Sequence, residues 1–251
     1  MRYKIDASMN ECSQSRNVLR NQEQPRLWNE LRVSRYDFPV YIIGTEPESA
    51  QAAIVCLHNR TSTAERFIKL GQLIVPPDTK NCVTVLALGA PESSTFWYPK
   101  EVFDTPLEAQ APYLEFSIAA LEQLCLRLTD YISIENVTLF GFADGGCLAL
   151  EYMVRCGYPL NAVIALSGVL LGTSLEGSDR FSAASTRTKV LMTIGGGISA
   201  GLRVRFRQTE QLLKQFGYKV IALPYERRAD TVAPDELAMG RNIISGTFAG
   251  Q

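Results

Sequence analysis

The stretch "LFGFADGGCLALEYM", residues 139–153, starts as an apolar β-strand, breaks at Gly141, and resumes as an apolar helix after Gly145 and Gly146. A chain that goes from strand to helix within about three residues needs glycine where the backbone is crowded. The spacing is that of G-x-S-x-G, the turn that lifts a serine hydroxyl above the end of a sheet. Here Gly141-Phe142-Ala143-Asp144-Gly145 keeps both glycines and has alanine at the centre.

Short apolar runs alternate with helical patterns outward from this turn. "PVYIIG", "AAIVCLH", "VTVLAL", "VTLFG", "AVIALSG", "KVLMTIG" and "KVIALPY" read as strands. Such alternation predicts an α/β fold, a mostly parallel sheet with helices on both faces. Leu114, Ile118, Leu121, Cys125 and Leu128 form one stripe of an amphipathic helix, and Leu202, Phe206, Thr209, Leu213 and Phe216 form a second. A last helix is expected from Pro234, with Asp235 and Glu236 at its positive end. Residues 1–35 show no clear period and read as an N-terminal extension, which leaves 36–251 as a single domain.

Composition narrows the partners. With 25 basic and 26 acidic residues the chain carries a formal charge of -1, so no global field recruits nucleic acid or an anionic membrane. No run approaches the roughly 18 to 20 apolar residues of a membrane span. The six cysteines lack C-x-x-C spacing and read as reduced thiols, and no metal or cofactor motif stands out. The expectation is a soluble, cytoplasmic protein that binds an apolar small molecule, with a homodimer left open. Two turn-rich stretches, 89–112 and 170–187, each follow a strand and are the expected pocket walls.

Four segments in order, "LHNRTSTAERF" (57–67), "FWYP" (96–99), "GFADGGCLALEY" (141–152) and "VIALSG" (163–168), resemble the phospholipase/carboxylesterase branch of the α/β-hydrolases. The resemblance implies the α/β-hydrolase fold. It places Ala143 at the nucleophilic serine, Ala200 or Ser199 at the acid, and Asp230 at the histidine. His58 is the only histidine of the chain and falls in the turn that helps build the family's oxyanion hole. A serine triad needs an imidazole to carry the hydroxyl proton, so triad hydrolysis is not expected.

Asp230, His58 and Asp144 are the candidate catalytic groups. Asp230 would be a proton-transfer carboxylate, or a loop residue paired with Arg228 or its neighbour; Asp144 also reads as a helix cap. Asn59, Arg60, Trp97, Tyr98, Ala143, Ser199 and Arg228 are the candidate substrate contacts. The leading functional expectation is a non-hydrolytic lyase, isomerase or cyclase of a biosynthetic kind. An inactive ligand- or partner-binding scaffold is the alternative, with an atypical carboxylesterase third.

Overall fold

The computed structural model describes residues 24–91, 96–99, 105–175, 180–182, 187–195, 197–225 and 231–245. Among these residues eight strands form one sheet, in the order β1-β2-β4-β3-β5-β6-β7-β8. They are β1 (Arg26–Val33), β2 (Tyr36–Gly44), β3 (Ala52–Leu57), β4 (Val83–Leu88), β5 (Val137–Phe142), β6 (Ala162–Leu166), β7 (Lys189–Ile194) and β8 (Lys219–Pro224). β2 runs antiparallel to β1 and β4, and the six strands β4-β3-β5-β6-β7-β8 are parallel. The central strands β3, β4 and β6 are buried at every position, as strands covered on both faces must be.

Among the described residues, five α-helices cover the faces: α1 (Ala64–Leu73), α2 (Tyr113–Leu128), α3 (Asp144–Cys156), α4 (Ala200–Gln215) and α5 (Pro234–Ser245). One apolar cluster holds α2, α3 and α4 on one face, and a second holds α1 and α5 on the other. The expected α2 stripe is buried throughout. In α4 Phe206, Thr209 and Leu213 are buried, whereas Leu202 is half-buried and Phe216, just past the helix end, is exposed. α5 begins at Pro234 as expected, and the Glu236 carboxylate accepts from the Ala233 amide at 2.8 Å, closing its first turn.

One boundary needs correction. The stretch expected to be an extension up to residue 35 contains β1, so the sheet begins at Arg26. A bulge between Leu27 and Asn29 shifts the register, and only Leu31 and Val33 of this edge strand are buried. The bulge interrupts the two-residue alternation by which a strand is recognised.

The β5-to-α3 connection sets the geometry of the upper edge. Ala143 sits between strand and helix at φ 49°, ψ -114°, a conformation that typically costs an L-residue about 1–3 kcal/mol. Its amide donates to the Leu166 carbonyl at 2.8 Å, tying the turn to β6. A side chain at Gly145 would overlap the carbonyl oxygens of Leu57 and His58, at the end of β3. Gly145→Ala is therefore expected to lower stability by about 3 kcal/mol, by analogy with severe overpacking, or to prevent accumulation of folded protein. Urea unfolding measures it, and an unchanged midpoint would contradict the close approach.

Candidate functional site

Segments leaving the carboxyl ends of β3, β4 and β5 meet at the Ala143 turn, where ligands of open α/β sheets bind. His58, Asn59 and Arg60 follow β3, Ala90 follows β4, and Ala143 and Asp144 follow β5. The buried pair Trp97 and Tyr98 fills the space between them.

Asp144 and Arg60, 84 residues apart in sequence, form the centre of the arrangement. Arg60 Nε donates to Asp144 Oδ2 at 2.9 Å and Nη2 donates to Oδ1 at 3.0 Å, a two-pronged guanidinium–carboxylate pair. The Arg60 amide also donates to Oδ2, at a long 3.3 Å. The Asp144 side chain is 12 % exposed and that of Arg60 34 %, so one side of the pair faces solvent. The expected helix cap is thereby corrected: Asp144 is the first residue of α3, and its carboxylate turns to Arg60 instead of capping the free amides. Nothing in the sequence marks this pairing, because neither residue lies on a shared periodic face.

His58 is committed inward. Its Nδ1 lies 2.8 Å from the Asn59 carbonyl, and its Nε2 accepts from the Ala90 amide at 3.1 Å, which fixes the proton on Nδ1. The ring is buried against Trp97, with centroids 4.8 Å apart. With both nitrogens used inside the protein, His58 has no hydrogen bond left to offer a substrate oxygen, which corrects its place among the candidate catalytic groups. Burial, opposed by the Asn59 carbonyl and by the Glu65 and Asp144 charges, lowers its pKa from the ordinary histidine value and so favours the neutral ring.

Trp97 and Tyr98 support the wall from behind. The Trp97 indole N–H donates to the His58 carbonyl at 2.7 Å, and the Tyr98 hydroxyl donates to the Asp144 carbonyl at 3.2 Å. Ser117, a residue that sequence reasoning missed, donates from α2 to the Trp97 carbonyl at 2.8 Å. Asn59 donates to the Thr61 hydroxyl at 2.8 Å and keeps partial exposure. Cys147, one turn into α3, is buried and its thiol is pushed up to about 12 by desolvation, which removes it as a nucleophile.

Ser199 caps α4, its hydroxyl accepting from the Leu202 amide at 3.2 Å. Asp230 and Arg228 lie outside the described residues. Among the described residues no group of three His, Cys, Asp or Glu side chains could hold a metal ion. Nor, among them, is any helix long and apolar enough to cross a membrane.

The buried neutral His58 makes stability depend on pH. Its folded pKa is depressed, so below pH 6.5 the unfolded chain binds a proton that the folded chain refuses. The contribution is present above pH 6.5 and is lost as pH falls below it. Urea midpoints at pH 7.5 and pH 5.5 are expected to fall further for the native chain than for His58→Gln; equal falls would refute the assignment.

The family model for phospholipase/carboxylesterase matches residues 71–244. No curated protein matches the chain. Among solved structures, a phospholipase/carboxylesterase from Dyadobacter fermentans is 24% identical, covering 86% of this chain and 100% of its own, with a TM-score of 0.75. Esterase PE8 is 20% identical over 82% of this chain and 96% of its own, at a TM-score of 0.64. A carboxylesterase from Mesorhizobium loti is 14% identical over 91% and 100%, at 0.63. At these identities the likenesses show the fold, which is the α/β-hydrolase fold expected from the sequence. The family match corrects the functional expectation: it points to phospholipase/carboxylesterase hydrolases and away from a lyase, isomerase or cyclase. With more than half of its 251 residues matched, the chain belongs to the phospholipase/carboxylesterase family of α/β-hydrolases.

Proposed function

We propose that this chain acts on carboxylic esters at the Ala143 turn without forming an acyl-enzyme, with water as the nucleophile. Family membership supplies the substrate class. In this reading the triad positions are substituted: Ala143 takes the place of the serine, Ser199 or Ala200 that of the acid, and Asp230 that of the histidine. A methyl group at Ala143 cannot attack a carbonyl, and His58 is held by its two internal hydrogen bonds.

The observation that carries the reading is the Asp144–Arg60 pair beside the turn. A carboxylate has about four acceptor sites; the guanidinium prongs take two and the Arg60 amide, at a longer distance, a third, which leaves one on Oδ1. The solvent-facing side can hold a water against an ester carbonyl. Water oxygen then bonds to the carbonyl carbon as one of its protons passes to Asp144, and the proton returns to the departing alkoxide as the ester C–O bond breaks. Arg60 keeps the carboxylate in place and offers positive charge to the developing oxyanion.

Such a site is far slower than a complete triad. Binding and oxyanion stabilisation alone give about 10³- to 10⁴-fold acceleration over water when triad members are removed. The reading takes the ester to be small and its acyl or alkyl part apolar, and it places the protein in the cytoplasm. The five free cysteines among the described residues support a reducing compartment.

Three measurements test the proposal. The native chain is expected to hydrolyse p-nitrophenyl butyrate at up to about 10⁴ times the buffer rate, while a fluorophosphonate probe leaves it unlabelled. Asp144→Asn is expected to lower that rate by about 10²-fold; covalent labelling of the native chain, or an unchanged rate in the variant, would refute the water mechanism. Ala143→Ser alone is expected to remain unlabelled by the probe, because no free imidazole stands beside the new hydroxyl; rapid labelling would show a base that this reading does not contain.

A further inference from the structure

Glu151, two helical turns beyond Asp144, is fully buried in α3 and gathers arginines from three segments. Arg155 Nε donates to its Oε2 at 3.1 Å, and Arg180 Nη2 stands 3.3 Å from Oε1, which also accepts from the Leu171 amide at 2.7 Å. Arg180 donates to the Leu171 carbonyl at 2.9 Å, and Arg205 of α4 donates to the Thr173 carbonyl at 2.6 Å. The loop 169–175 is thus clamped from both sides by guanidinium groups. Glycine at 172, at φ 96°, lets it turn beneath the Arg180 guanidinium.

The cluster is not balanced. Arg205 is 5 % exposed, yet its Nη1 is buried with no hydrogen-bond partner, and so is Nη2 of Arg155. Among the described residues, Glu151 acts on Arg180 and Arg205, and Glu108 acts on Arg180. Burial and the nearby Arg180 charge lower the Arg205 pKa, the sign of a cation short of compensation. An unpaired buried donor on a charged group is expensive to leave, whereas guanidinium N–H groups match the oxygens of phosphate and carboxylate.

We propose that the α3–α4 junction under loop 169–175 is an oxyanion-binding site, in which Arg205 Nη1 and Arg155 Nη2 donate to a phosphate or carboxylate group. It is separate from the Ala143 turn, since seven residues of α3 span about 10 Å. It therefore stands or falls independently of the ester reading.

The test is a titration of the full-length native protein with inorganic phosphate, and in parallel with acetate, against chloride at constant ionic strength. Thermal unfolding and calorimetry supply the readouts. At least one of the two anions is expected to bind saturably and raise the unfolding temperature; phosphate alone would identify a phosphoryl ligand and acetate alone a carboxylate ligand. Arg205→Met is expected to weaken that binding by about tenfold to hundredfold, as loss of charged hydrogen bonds does. Arg155→Gln should weaken it as well, whereas Arg60→Gln at the turn should leave it unchanged. No saturable response to either anion in the native protein would overturn the proposal, whatever the variants do. A response that disappears in Arg60→Gln and survives in Arg155→Gln would place the anion at the turn and overturn it equally.

Discussion

The close approach of α3 to the ends of β3 and β6 is the constraint on which the upper edge of the molecule depends. Gly145 faces the Leu57 and His58 carbonyls, Gly146 faces Leu166 and Gly168, and the strand must become a helix between them. Ala143 carries the strain of that passage, while the two large apolar clusters above and below the sheet hold it in place. Because backbone packing fixes the turn, its shape does not depend on which side chain stands at its tip. A serine could leave the position without the architecture changing.

The same packing explains how Asp144 and Arg60 come together. β3 and β5 are neighbours in the sheet, with Leu57 opposite Gly141, so the residues that follow each strand emerge side by side. The pair is then backed by buried Trp97 and Tyr98, each of which uses its polar atom to fix a backbone carbonyl. Aromatic residues serve here as struts between loops, and the Asp144–Arg60 pair lies on the more exposed side of them.

The fold was largely legible in the sequence because its signals are local. Seven of the strands are short apolar runs, α2 and α4 show clean stripes, and the glycines of residues 141–146 announce the turn. β1 escaped because an edge strand with a bulge has little to bury and no steady alternation. The site was only half legible. Arg60, Asp144 and His58 could be named, but their partners could not: the Arg60 pairing with Asp144 and the His58 bond to the Ala90 amide join positions far apart in sequence. Such contacts follow from strand order, which a local pattern does not encode.

The bulge in β1 also bears on how the protein behaves beside its own copies. An outermost strand offers unpaired amides and carbonyls to any passing extended chain. In β1 the shift between Leu27 and Asn29 breaks the even spacing that a new strand would have to match. Arg26, Glu30 and Arg32 add charge along that rim, and all three are exposed. Strand addition is therefore discouraged at this end of the sheet, and an incoming chain would find a more regular border along β8, where Ile221 is exposed.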